Sequence, residues 1–378
     1  MERSKFYQEL VGTLEGQLSP ESEAVLAALN PRTPAQLSSI LRSFPTLGRE
    51  GLIDIPFVDD VCARLGGAEL ASFRERADDR TADGRHVFAM GASAPQDTRL
   101  PDGWVVPTPP AATLGVDVDN ASLGAEEIDL RHCTPWPPRD QGRRGSCVAF
   151  AATALREALD CETTGSITDL SEQFLYWAIK TKTNDPRPTE DGTLLEFARD
   201  ALEHEGICTE LSWLYDPNPI TGNPGHAGGP DPSPGAITEA AQRAHAAADY
   251  QRTTTMQGHA ARVLEALETG RPVAISLPVF ADPLSGDNNW NTDTGQLFGE
   301  VIDPVPTSHR DGGHAVCVTG YVPDATEPMG GYFVIRNSWG TMEWGSDLPD
   351  PDFHGPEAGY GQVSASYVDR YLWELLRL

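Results

Sequence analysis

Lysine is almost missing from this chain. Only Lys5, Lys180 and Lys182 occur, so 25 of the 28 basic residues are arginines. The 56 acidic residues outnumber them two to one, which leaves a net charge of −28 over 378 residues. Such a surface repels nucleic acid and anionic membranes, so neither is an expected partner. Long apolar runs are also lacking: nothing approaches the ~20 residues of a membrane span. The first stretch, Met1 to Ser19, carries Glu2, Arg3, Lys5, Glu9 and Glu15 and does not read as an export signal, so a cytoplasmic chain is expected. No CxxC occurs, and His204, His226, His245, His259, His309 and His354 show no ligand spacing with cysteine, so no metal is expected. No glycine-rich phosphate loop follows a strand, and no cofactor is expected. Internal repeats are absent.

What is abundant is acid, alanine, glycine and proline. With so little lysine, that composition suggests a GC-rich prokaryotic or salt-tolerant source. The length predicts two or three domains with a sizeable core. Residues 3–18 place Phe6, Leu10, Val11, Leu14 and Leu18 on a helical stripe. Ser19-Pro20-Glu21 and Thr33-Pro34 are helix starts, each a cap followed by proline at the first helical position. Val58 to Arg76 predicts another helix or two. Residues 1–76 therefore read as a helical domain, and residues 77–126, polar and rich in Pro, Gly, Ala and Asp, as a linker or an extended segment lying on the rest.

The densest chemistry lies further on. Gln141-Gly142-Arg143-Arg144-Gly145-Ser146-Cys147 leads a glycine-bearing loop into Val148-Ala149-Phe150-Ala151, the start of an alanine-rich helix expected from Ser146 to about Asp160. That helix is apolar on nearly every side and should be buried. Its first turn offers Cys147 unpaired N–H groups and the positive end of the helix dipole, which favour the thiolate. Gly313-His314-Ala315-Val316 and Asn337-Ser338-Trp339-Gly340 follow downstream. Each motif alone has an ordinary structural explanation. All of them, in this order and at these separations, do not.

This arrangement resembles the papain family of cysteine peptidases. The resemblance implies Cys147 as nucleophile, His314 as base and acid, and Asn337 as the group that orients the imidazole. It makes Gln141 and the Cys147 N–H the oxyanion donors, with Ser146, Trp339 and Trp344 packed around the site. Asp191-Gly192-Thr193 and Gly313 are the expected contacts to substrate backbone. Leu170-Ser171-Glu172-Gln173 matches a helix start of the family, with Ser171 as N-cap. The implied fold is α+β, a helical lobe and a strand-rich lobe over 127–378, with a buried strand at 272–278 and others at 332–336 and 359–363. Secreted members carry a cysteine where this chain has Arg144 and another at Ala178, so the six cysteines (62, 133, 147, 161, 208 and 317) are expected as free thiols. Segments 218–234, 281–310 and 345–359 read as long loops rimming the cleft.

The implied activity is hydrolysis of protein or peptide substrates through a thioester. A silent peptide-binding relative, or an acyltransferase using the same residues, are the alternatives. The helical domain is expected either to inhibit, as a prodomain, or to recruit a regulatory protein bound by residues 1–76. Recruitment is favoured because the helical pattern of the family's propeptides is not found, and it predicts an open cleft.

Overall fold

A computed structural model describes residues 3–82, 88–96, 98, 100–101, 103–109, 123–124, 126–134, 136–218, 230–244, 249–253, 257–346 and 357–378. The N-terminal unit is helical: α1 (Lys5–Leu14), α2 (Pro20–Leu29), α3 (Pro34–Ser43), α4 (Thr46–Arg49) and α5 (Ile55–Ala82). Ser19 and Thr33 cap their helices, the Ser22 and Gln36 N–H groups donating to their hydroxyls at 3.1 and 3.0 Å. Helix α5 runs past the expected boundary at residue 76. It is broken at Gly67 (φ 54°, ψ −133°), a backbone conformation that only glycine adopts without strain.

The remainder has two lobes. After β1 (Ile128–Asp129), α6 (Cys147–Thr164), α7 (Glu172–Lys182), α8 (Leu195–His204) and α9 (Pro234–Ala241) build the helical lobe. Helix α6 buries Val148, Ala149, Phe150, Ala151, Ala152, Ala154 and Leu155, as its uniform apolarity requires. The other lobe contains β2 (Asp249–Arg252), α10 (Ala260–Glu268), β3 (Val273–Ala281), α11 (Asp293–Phe298), β4 (His309–Pro323), β5 (Gly331–Arg336), β6 (Tyr360–Ser364), α12 (Ala365–Tyr371) and β7 (Glu374–Arg377). Its antiparallel sheet runs β2-β7-β3-β4-β5-β6, with β1 added against β4. Strand β3 is buried at every position and, Ser276 apart, carries an apolar run rather than an alternating one.

Residues 282–308 are not the expected rim loop. Leu297, Phe298, Ile302 and Val305 share one core with α1 to α5. Around that core, Thr46 N–H donates to Asp282 (3.0 Å), Ser285 to the Ser43 carbonyl (2.9 Å), and Arg42 pairs with Asp293 (3.0 Å). Arg32 reaches Glu300 (2.7 Å) and Glu327 (3.2 Å), both carboxylates buried. This segment is the seat of the helical unit, and its burial comes from that partner surface. Most of 218–234 and of 345–359 lies outside the described residues, as does 110–122 of the expected linker. Among the described residues no helix is long and apolar enough to cross a membrane.

Candidate active site

Cys147 is the first residue of α6 and is completely buried. His314 sits within β4, whose pairing with β3 sets Leu277 opposite His314 and Ser276 opposite Ala315. The Ala315 N–H points at the Cys147 sulfur from 3.4 Å, which fixes α6 against β4 at this point.

The imidazole is held from two sides. Asn337 Oδ1 lies 2.7 Å from His314 Nε2 and also accepts from the Ser338 N–H at 2.8 Å. An oxygen that accepts from a backbone N–H cannot donate to the ring, so Nε2 carries the proton and Nδ1 keeps its lone pair. Nδ1 has no hydrogen-bond partner. Trp339 stacks on the ring (4.4 Å, 25°) and Trp290 meets it edge-on (5.1 Å, 77°). Trp344 packs across Trp339 and donates to the Trp290 carbonyl at 3.1 Å. Sequence reasoning missed Trp290, which stands in the polar run Asp287-Asn288-Asn289-Trp290-Asn291.

Gln141 is fixed at each atom of its amide. Oε1 accepts from Ser338 Oγ (2.6 Å), and Nε2 donates to the carbonyls of Arg144 (2.7 Å) and Ala89 (2.9 Å). Ser146 bonds Tyr215 (2.6 Å), whose hydroxyl also donates to the Gln141 carbonyl at 2.9 Å.

Ala89 belongs to an extended segment that crosses the site, with one isolated β-bridge from Ala92 to Thr193. Phe88 stacks on Trp339. Gly91 offers its carbonyl to Thr193 N–H (2.9 Å), Ser93 N–H donates to the Thr193 carbonyl (2.8 Å), and Ala92 N–H to Gly313 (3.0 Å). A Cβ on Gly91 would sit 2.2 Å from Gly145 backbone atoms, so only glycine fits. Further along, Val106 N–H donates to Ser308 (2.8 Å) and Arg310 N–H to Trp104 (2.8 Å). A cavity of about 590 Å³ remains between this segment and the wall carrying Arg187, Asp191, Arg310 and Gly313. The cleft is filled, not open as a recruiting module predicts. Of the expected substrate contacts, Thr193 and Gly313 bond the crossing segment. Asp191 and Gly192 instead brace the loop: Tyr176 donates to Asp191 (3.3 Å), and Gly192 N–H bonds Gly145 (3.1 Å) while Lys180 takes its carbonyl.

Complete burial reverses the expected thiol chemistry. Burial pushes the Cys147 thiol up to about 12, although N–H groups of Ala315, Gly91, Val148 and Cys147 itself favour the charged form. Burial likewise pulls His314 down to about 4, against the bond from Asn337. In this state the pair is thiol and neutral imidazole. All six cysteines are unpaired.

A sequence profile of the papain family cysteine proteases matches residues 124–347. The chain belongs to that family. An uncharacterized peptidase C1-like protein of Acanthamoeba polyphaga mimivirus is 27% identical over 225 residues, covering 58% of this chain and 66% of the relative. Procathepsin L of Felis catus is 29% identical over 220 residues, covering 56% of this chain and 55% of the relative. The chain thus spans just under two thirds of the first relative and about half of the second. Xylellain, a cysteine protease from Xylella fastidiosa, aligns in structure with a TM-score of 0.50 at 20% identity, covering 77% of this chain and 97% of xylellain. The α+β architecture with its N-terminal helical region is papain-like.

Proposed function

We propose that this family member is a thiol peptidase held closed by its own N-terminal region. The observation that carries the catalytic half is the His314 tautomer, with Nε2–H on Asn337 and a bare Nδ1. On an open cleft, Nδ1 would take the Cys147 proton and the thiolate would attack a peptide carbonyl. The oxyanion would lie between the Cys147 N–H and the Gln141 N–H now given to Ala89. His314 would then protonate the leaving amine, and water would hydrolyse the thioester with the imidazole again as base. A donor of this kind contributes about 3 kcal/mol of barrier lowering. Asn337 orients the ring under Trp339.

In this reading residues 88–106 are the closure, residues 1–82 its anchor on the 282–308 segment, and residues 127–378 the enzyme. The supporting observation is that Ala89, Gly91 and Ala92 use up the Gln141, Thr193 and Gly313 groups that a substrate backbone would need. Six unpaired thiols suit a reducing compartment. The test compares residues 1–378 with residues 120–378 on a short fluorogenic peptide and with an epoxysuccinyl thiol probe. The truncated chain should gain at least tenfold in turnover, about 1.4 kcal/mol, and label at Cys147. Equal rates would defeat the closure, and absence of labelling and turnover in both would defeat the peptidase.

A further inference from the structure

Arg144 lies in the loop that leads into α6, three residues before Cys147. Its side chain is 1% exposed. Guanidinium Nη1 donates to Gln173 Oε1 of α7 (2.6 Å) and to the Asp216 carbonyl (2.7 Å). The group lies between the rings of Tyr176 and Tyr215, at 5.2 and 5.0 Å from their centroids. Nε and Nη2 have no hydrogen-bond partner, so aromatic faces take the place of acceptors on those sides. Burying a guanidinium this way is costly, and it is compensated only while all the surrounding pieces stay in place.

Those pieces are the ones that shape the oxyanion loop. Tyr215, one face of the sandwich, holds the Gln141 carbonyl and Ser146. Tyr176, the other face, holds Asp191. The Arg144 carbonyl itself accepts from Gln141 Nε2 and from Ser146 N–H (2.9 Å). With Oε1 tied to Ser338, the Arg144 carbonyl leaves one Gln141 N–H able to face the site, now spent on Ala89. A shift of residue 144 would release the second N–H and let the amide turn.

We infer that Arg144 is a positioning residue: its buried guanidinium anchors the 141–147 loop so that its own carbonyl aims the Gln141 amide into the oxyanion hole. The inference rests on the peptidase reading for its catalytic consequence, but not for its geometry. An anchor of hydrogen bonds and aromatic faces contains no bond that a reductant can break.

The experiment uses Arg144→Met, which keeps bulk without charge, and Arg144→Lys, which keeps charge without the planar fork. In the full-length chain, side-chain amide exchange of Gln141 followed by NMR should be at least tenfold faster in both variants than in the natural sequence. In the full-length chain carrying Gly91→Val, whose added side chain disturbs the segment across the site, kcat per titrated thiol should fall about tenfold to a hundredfold relative to Gly91→Val alone, with KM within about twofold. A role in stability alone lowers the titratable fraction and leaves kcat per thiol and amide exchange unchanged, and that result overturns the inference. If the natural sequence turns over no peptide, the peptidase reading fails, and the exchange measurement still decides the role of Arg144. Should Arg144→Met not fold, Arg144→Lys with Gln173→Ala as a second route to the same anchor gives the same readouts.

Discussion

Phe88 lies face to face on Trp339, the ring centroids 4.3 Å apart and the planes 8° from parallel. Trp339 in turn covers His314. A residue of the N-terminal region thus completes the aromatic shelter of the imidazole, and the cleft chain and the proposed base share one stack.

Cys147→Ala should abolish turnover while leaving the melting temperature within a few degrees, since it trims one small buried group. His314→Ala should be comparably severe, on the order of a thousandfold or more, because nucleophile and base act as a unit. Asn337→Ala should be milder, as Trp339 and Trp290 still clamp the ring. Steady-state kinetics on the opened chain test all three. An Asn337→Ala variant as dead as Cys147→Ala would give Asn337 more than an orienting role.

Gly91→Val should weaken the closure. Its Cβ would fall 2.2 Å from Gly145, and backbone cannot move aside as a flexible side chain can. The full-length variant should show at least tenfold higher peptide turnover than the natural chain. Unchanged turnover would mean that the segment yields without leaving the thiol.

Acid should loosen the closed form through His314. Burial holds this imidazole near 4, against 6.5 when solvated. Between those values the exposed ring takes up a proton that the buried one refuses, so stability present above 6.5 is lost as pH falls to 4, by at most about 3 kcal/mol. Glu327 acts in the other direction. Burial, only partly countered by Arg32, raises it to about 7, so from 7 down toward its ordinary 4.5 the docked form keeps a proton that the solvated carboxylate gives up. Hydrogen exchange of the 88–96 backbone, corrected for intrinsic rates, should accelerate from pH 6.5 to 4.5, and more steeply in Glu327→Gln. Constant protection over that range would contradict the His314 effect.

Arg32→Ala should loosen the helical unit. It would leave Glu300 and Glu327 buried without their cation, a change that typically costs about 3–5 kcal/mol. Limited proteolysis within α1 to α5 should become faster, and Arg32→Lys should recover only part of the loss because Glu300 and Glu327 are met by different nitrogens of the fork.

The residues gathered at the start of α6 were readable because each stands in a short motif whose neighbours are locally dictated. Cys147 opens an apolar helix, His314 lies in a buried strand, and Asn337 follows the last residue of β5. Strand β3 was readable from an apolar run broken only at Ser276. Trp290 was not, because its neighbours are Asn and Asp and its role exists only through contact with a strand more than twenty residues away. The 282–308 segment lacked any periodicity of its own, since the surface that buries it belongs to α1 to α5. The segment across the site bonds through backbone groups, which leave no signature in side chains. The thiol is expected to be acidified; the helix terminus and N–H groups are present, but complete burial decides the sign.

The segment from Phe88 to Val106 is bonded to both lobes at once: to Thr193 and Gln141 on the helical side, and to Gly313, Ser308 and Arg310 on the sheet side. It works as a rope laced across a hinge. Pulling the lobes apart loads every rung together, whereas lifting one end loads them in turn. Removal is therefore easiest by unlacing from a free end, and a single cut near either end should do more than any force that spreads the lobes.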